Sequence, residues 1–572
     1  MKLINKYLSV FAAGLMAASC IGDLDTLPLN PSQTVSESAY GVDESAYIGG
    51  LARIYYQFVS NDLTDLQPMD GGASEIIRAF WSTQETTCDA VKCAWENDDW
   101  VRALNTNSWD ESQNPAAYAV YVRSMQGISF ANEYLRQTST DILESRGVSA
   151  DLIARIESYR AEARFLRAYL YWMAMDTFGN VPFTTENSPF GGTYNPKQTS
   201  RTDVFNFLVN ELNDLISDSS AMPAPRSNYP RADKGSAAGL LARLYLNAEV
   251  YTSVRDDQGN VTVPGTPMWN EAKATCEKIF DMGYKLCPEY AHLFRGDNGE
   301  NPEALNEMLW AVGYDAESTQ SYGGTTYMLC ACVAATDVTD TCKPNGQVNG
   351  WAGLRAPFEY VNKYFAPTGI SAKDDNGVYV ENTYTIKDKR GQMFYIKGRK
   401  ESMQDELYVF LSGWSCLKYN NYPSTVKDVY NADAEALKTA GVKAFSDIDY
   451  PMIRLGEIYL IYAEACMHAG GDASKQIKAL ADRAGVAAPS KIDQDFLVAE
   501  RARELMWEGH RRTDLIRYNL FAGENVSFNW TYKSGSFTGQ PFPGYKYIFS
   551  IPYSELTANE ELVQNPGYLD AE

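Results

Sequence analysis

Between Asp151 and Gly179 the chain sets apolar residues at Leu152, Ile156, Tyr159, Ala163, Leu166, Leu170 and Met173, steps of three and four that bring one stripe onto one face of an α-helix. A stripe this long has to be covered by other elements, and Gly179-Asn180-Val181-Pro182 ends it. The same periodicity predicts a helix from a Thr202-Asp203 cap through Leu215, then helices over 234–252 and 270–282, the last stopped by Gly283. Small residues Ala237, Ala238, Ala242 and Ala248 are interleaved there with Leu240, Leu244 and Leu246, which suits close helix contact in a tetratricopeptide-like array, although no repeat consensus accompanies them.

From 287 to 446 the periodicity lapses into short Tyr- and Trp-containing runs broken by Gly, Pro, Asn and Asp. Such stretches lie over a rigid scaffold and concentrate functional residues. Helices are predicted again over 450–469, 473–484 and 493–521, and 522–572 reads as an extended tail closing over the body. The predicted class is therefore mainly α: a tetratricopeptide-like scaffold with a large irregular, loop-rich region carrying the ligand site. Its divisions are a leader at 1–19, a tether at 20–40, a helical part at 41–286, the irregular region at 287–446, and C-terminal helices with the tail at 447–572, packed as one unit. With 572 residues, 45% of them hydrophobic, there is ample material for a core.

Lys2 and Lys6 precede an apolar run from Tyr7 to Met16, and Ala17-Ala18-Ser19 then leads into Cys20, the plan of a secretory signal. The run is too short to cross a bilayer, and no later one reaches the roughly 18 to 20 apolar residues a spanning helix needs. Small residues before Cys20 make it a candidate lipidation site; Ala17 stands where Leu is usual, and plain secretion with cleavage near Ser19 is the alternative. Ten cysteines less Cys20 leave an odd number, so no complete disulfide framework is expected. Cys88 and Cys93 are close enough for a local bridge, Cys330, Cys332 and Cys342 lack metal-finger spacing, and packing is the expected role of most.

Fifty basic against 73 acidic residues give a net charge of -23, which disfavours nucleic acid, anionic lipid surfaces and polyanionic glycans and leaves neutral ligands. Thirty-eight Tyr and 11 Trp supply flat apolar faces with polar edges, suited to recognition surfaces as well as to a core. The densest ionic segment runs from Glu500 to Leu515. His510 there has only Met506 and Trp507 one helical turn behind it, so a metal site fails locally and a hydrogen-bonded ion network between helices is expected. With three histidines (His292, His468 and His510) and no nucleophile elbow, phosphate loop or dinucleotide fingerprint, catalysis finds little support. Glycoside hydrolysis, which needs only two carboxylates, stays open as an alternative.

Five blocks stand in order along the chain: 160–168 with Phe178-Gly179-Asn180-Val181-Pro182, then Ala242-Arg243-Leu244-Tyr245-Leu246, then 454–465, then 500–505 with 508–515, and finally Ile551-Pro552 with Gln564-Asn565-Pro566-Gly567-Tyr568. Together they resemble the SusD/RagB family of Bacteroidetes surface lipoproteins. The resemblance implies a helical scaffold, no catalysis, glycan binding, a lipid anchor at Cys20 in the outer membrane at the cell surface, and a SusC-like TonB-dependent transporter as partner. Arg231-Ala232-Asp233-Lys234, 322–327 and Asn349-Gly350-Trp351 are similar to starch-binding members in particular. Carried over residue by residue, their site implies Trp95, Tyr322 and Trp351 for stacking and Asp70 and Arg78 for hydrogen bonds, with Asp98 where those members have Asn and Asn97 beside it able to substitute. The implied ligand is starch or a malto-oligosaccharide, with another neutral glycan as the alternative. No cofactor is implied, and a structural calcium is not legible in the residues.

Overall fold

The computed structural model describes residues 40–61, 72–95, 97–112, 114–189, 194–337, 344–404, 407–430 and 435–569. The leader, Cys20 and Asp70 lie outside them. The long helix spans Ala150–Phe178, with the Ser149 hydroxyl accepting from the Leu152 N–H at its start and Gly179 at φ 75° ending it. It packs on the Arg201–Leu215 helix; that packs on Lys234–Leu246, which packs on Trp269–Asp281, which packs on Leu455–Ala469. This succession of neighbouring helices is the expected array.

The other side of the long helix is covered by Pro115–Gln137, which the periodicity did not announce. Its start is explicit in the residues: Asn114 accepts from the Ala116 N–H at 3.1 Å, and Pro115 begins the helix. A Cβ at Gly127 would come within 2.5 Å of Leu170 Cδ1, so the glycine lets that side chain in. The helix also buries Val120, Tyr121, Ile128, Tyr134 and Leu135.

Three predicted helices are corrected. Over 450–469 the first part is a strand, Tyr450–Arg454, paired antiparallel with Met308–Val312 so that Tyr450 faces Val312 and Arg454 faces Met308. Both strands are buried along their whole length, and such a short apolar run has no periodicity to separate it from a helix. Over 493–521 there are two helices, Gln494–Glu504 and Arg511–Arg517, separated by Trp507 at φ 63° and Gly509 at φ 78°. The Trp507 carbonyl accepts instead from Trp81 Nε1 at 2.9 Å, and Glu85 Oε1 accepts from the Gly509 N–H at 2.8 Å. Over 234–252 the helix is interrupted at Asn247 and resumes as Ala248–Thr252. At Arg201–Leu215 the cap is Ser200, not Thr202, its hydroxyl accepting from the Asp203 N–H at 3.1 Å.

The ionic segment is a buried network, as its pattern implied. Arg454 reaches Glu307 at 2.9 Å, Glu504 at 2.7 Å and Glu508 at 2.6 Å. Arg390 reaches Glu500 and Glu504 at 2.7 and 2.8 Å, and Lys418 reaches Glu508 at 2.6 Å. Although burial opposes charge, the surrounding Arg483, Arg454 and Arg390 hold the Glu504 carboxyl well below the usual range. Burial pushes His510 down to about 4, leaving it neutral.

The local bridge envisaged for Cys88 and Cys93 is not made: both are free and buried, Cys88 Sγ lying 3.5 Å from Thr87 Oγ1 and Cys93 sitting in a strand. The tail, read as extended, holds a short helix at Tyr553–Ala558 and contacts the end of the long helix. Phe549 N–H donates to the Thr177 carbonyl at 2.9 Å, and Asn565 Nδ2 donates to the Phe178 and Phe549 carbonyls, both at 2.7 Å. Among the described residues no helix is long and apolar enough to cross a membrane.

Candidate functional site

The chain goes out at the end of the Met308–Val312 strand and comes back at Tyr450–Arg454, which pairs with it. Two of the three implied stacking residues lie in this excursion, and the third, Trp95, lies just past a strand paired with it. Lys92–Cys93 pairs antiparallel with Leu354–Arg355, and the Ala94 N–H donates to the Gly353 carbonyl at 2.9 Å. This places Trp95 against Gly353, where a Cβ would stand 2.5 Å from Trp95 Nε1, and Gly353 itself has φ 115°. Only glycine lets the backbone bend there and the indole lie on it. Two residues earlier, Trp351 N–H donates to the Cys330 carbonyl at 2.8 Å, which ties it to the end of the Gly324–Cys330 helix.

Tyr322 stands just before that helix and is 41% exposed. Its ring centroid is 5.6 Å from that of Trp351, with the planes at 63°. On its other side it meets Phe445 at 5.2 Å and 41°. Trp351 and Phe445 are half-buried, so the three rings form one continuous, partly open surface whose faces turn from one ring to the next. Phe445 was not among the implied residues; its one sequence signal is an isolated aromatic within the polar stretch 443–447.

Trp95 belongs to an adjoining group. Its ring meets Tyr327 at 5.9 Å, and the Arg78 guanidinium lies 4.0 Å over Tyr327 and 5.6 Å over Trp95. Arg78 is only 1% exposed. It therefore sits behind the aromatic groups, not on the open surface where a sugar-bonding role would put it. Asn97 is exposed, and half-buried Asp98 precedes the Asp99–Thr106 helix, its carbonyl accepting from the Val101 N–H at 2.9 Å.

A buried carboxyl sets the position of Tyr322. Glu75, fully enclosed, accepts from Ser321 Oγ at 2.5 Å and from the Tyr314 hydroxyl. Ser321 Oγ in turn accepts from the Gly323 N–H at 2.9 Å, so the turn on either side of Tyr322 is tied to one side chain. The fit is tight: a Cβ at Gly323 would be 2.2 Å from Glu75 Oε2, and one at Gly72 would be 2.2 Å from the Tyr322 carbonyl carbon. Burial pushes the Glu75 carboxyl up to about 8, against the opposing pull of the two hydroxyls and of Arg78 and Arg123.

The surface offers flat apolar faces with polar edges; among the described residues, the metal-capable cluster of His, Cys and carboxylate donors lies elsewhere, at Cys287. Two family models match the sequence: the SusD family over residues 306–568, and one described as starch-binding associating with outer membrane over residues 67–246. The starch-binding protein SusD of Bacteroides thetaiotaomicron is 31% identical over 99% of this chain and all of its own. A surface glycan-binding protein A from the same species, solved with laminarihexaose, superposes with a TM-score of 0.63 at 17% identity, covering 91% of this chain and 99% of that one. A laminarin-binding SusD-like protein superposes with a TM-score of 0.62 at 20% identity, over 92% of this chain and all of that one.

Proposed function

The chain belongs to the SusD family, and on that premise we propose that it is a non-catalytic cell-surface binder that captures starch or malto-oligosaccharides and passes them to a SusC-like TonB-dependent transporter in the outer membrane. The observation that carries the reading is the continuous ring surface of Trp351, Tyr322 and Phe445. Pyranose rings present C–H faces that stack on aromatics, while their hydroxyls bond polar groups at the edges. A flat ribbon such as a β-1,4-linked glycan calls for parallel platforms. Rings turned by 63° and 41° suit a chain that curls, as an α-1,4-glucan does. The relative with 31% identity along its whole length is named as starch-binding, which favours the same ligand over the laminarin of the more distant structures. Trp95, backed by Arg78, extends the surface, and Asp70, Asn97 and Asp98 are the proposed polar contacts. Lipidation at Cys20 would hold the chain at the membrane where the transporter lies.

A shallow site built on a few stacking contacts binds with about -4 to -8 kcal/mol, roughly millimolar to micromolar. Removing one ring should therefore be decisive. Affinity gels with starch, pullulan, laminarin, inulin and xylan should retard the chain with the first two. Trp351→Ala should nearly abolish retention in starch, and Tyr322→Ala, Phe445→Ala and Trp95→Ala should weaken it, with melting temperatures close to that of the parent. Preference for laminarin, or binding lost only together with a large fall in melting temperature, would overturn the assignment. Release of reducing ends from starch by the purified chain would instead establish the hydrolase alternative.

A further inference from the structure

We propose that Cys287, His292 and Glu303 form a binding site for one zinc ion, away from the ring surface. One donor atom from each residue lies within 4.8 Å of the other two. His292 Nδ1 is 3.7 Å from a Glu303 carboxylate oxygen, is closed off from solvent, and has no hydrogen-bond partner. A buried ring nitrogen left unsatisfied costs free energy unless something else occupies it, and a cation coordinated by that nitrogen would do so.

The three donors are held by backbone that other contacts fix. The Cys287 N–H donates to Glu307 Oε2 at 2.7 Å, and Glu307 is itself gripped by Arg454 and Arg483. His292 lies in the turn Tyr290–Phe294, where its N–H donates to the Glu289 carbonyl at 3.0 Å. Glu303 lies in the first turn of Pro302–Leu305, its N–H donating to Asn301 Oδ1 at 2.9 Å. His292 also lines, with Glu289 and Arg295, a groove of about 830 Å³ beside the three donors.

The donor set selects the metal. Calcium and magnesium take oxygen ligands, whereas one sulfur, one imidazole nitrogen and one carboxylate oxygen suit zinc. Bond lengths of about 2.0 to 2.3 Å in a tetrahedral site bring ligand atoms to roughly 3.3 to 3.8 Å from one another. The Glu303 side chain, more than half exposed, can swing in to close the remaining gap. As the sulfur–zinc bond forms, the Cys287 proton leaves to solvent and the sulfur gives up its present hydrogen bond to the Glu289 carbonyl. Thiolate, carboxylate and dication then sum to zero charge, which a half-buried pocket tolerates.

The test uses the full mature chain freed of metal with a chelator. Titration with zinc chloride, followed by calorimetry, should show one equivalent bound at micromolar affinity or tighter. Cobalt(II) should give the sulfur-to-metal charge-transfer band in the near ultraviolet. Zinc, and not calcium, should raise the melting temperature of the parent. Cys287→Ser and His292→Ala should each weaken binding at least tenfold and lose the zinc-induced rise, and Glu303→Gln should weaken it less. If Cys287→Ser lowers the melting temperature of the metal-free chain, half-buried His292→Ala carries the comparison. Absence of stoichiometric binding by the parent, or undiminished binding by a Cys287→Ser/His292→Ala double variant, would overturn the site.

Discussion

Replacing Glu75 by Gln should change stability in a way that depends on pH, and the direction follows from its burial. Its folded-state pKa of about 8 lies above the ordinary 4.5, so the folded chain holds a proton there that the unfolded chain releases in between. The contribution of this group is thus fully present below about pH 4.5 and is lost as pH rises through about 8. At 1.36 kcal/mol per pKa, the whole interval is worth about 5 kcal/mol. Gln resembles the protonated acid at every pH and keeps an acceptor for one of the two hydroxyls, so its own cost is about 1 kcal/mol for one weakened hydrogen bond. The groups facing Glu75 are Ser321, Tyr314, Arg78 and Arg123. Urea denaturation of parent and Glu75→Gln should show the variant slightly less stable near about pH 5 and equal or more stable near about pH 8.5. A gap between the two chains that is the same at both pH values would refute the reasoning. Because Ser321 holds the turn before Tyr322, Glu75→Leu, which leaves both hydroxyls without an acceptor, should weaken starch retention as well.

Glu504→Gln, read by melting temperature, should cost about 3 to 5 kcal/mol because Arg390, Arg454 and Arg483 would be left buried around a neutral group. Acid unfolding should begin only below the ordinary carboxylate range: Asp514 is held at about 2 and Glu504 and Glu508 are also depressed, so their stabilisation is present above about pH 4 and lost as pH falls through those lower values. Gly353→Ala should displace the Trp95 indole and cost about 1 to 3 kcal/mol in backbone strain, measured as reduced starch retention with a lower melting temperature. Cys20→Ala should move the chain from the membrane to the soluble fraction of fractionated cells. Its persistence at the membrane with no transporter present would exclude the anchor.

What could be read from the residues was whatever repeats locally. The long helix was legible because its stripe runs unbroken from Leu152 to Met173, and the ion network because Glu and Arg crowd one segment. Pro115–Gln137 escaped because Gly127, alanines and polar residues such as Arg123, Ser124 and Asn132 share its buried face with Val120, Tyr121, Ile128 and Leu135, which blurs the apolar stripe. Tyr450–Arg454 escaped because a strand covered on both faces reads as any apolar run. At the ring surface, Trp95, Tyr322 and Trp351 came from likeness to a family, whereas Phe445 gives almost no local sign. Glu75 could not be foreseen: in sequence it is an acid before a helix, and its burial depends on Tyr314 and Ser321, 239 and 246 positions away. Arg78 was expected at the sugar and lies beneath the rings, since residue type alone does not tell a cation facing a ligand from one stacked behind an aromatic.

The pairing of Met308–Val312 with Tyr450–Arg454 sets the exit and return of the intervening chain side by side, so the scaffold itself closes the loop. Changing the length of a closed loop is thermodynamically mild, about 0.6 kcal/mol per doubling. The excursion can therefore be exchanged as a cassette. A replacement has to satisfy three buried carboxyls at its base, with a cation in place of Arg390 for Glu504, one in place of Lys418 for Glu508, and hydroxyls in place of Tyr314 and Ser321 for Glu75. Trp351, Tyr322 and Phe445 would travel with the cassette, while Trp95 and Arg78 would stay behind as a common floor. A lineage built this way can acquire a new sugar preference by recombination at two neighbouring points, without passing through a series of individually weakened binders.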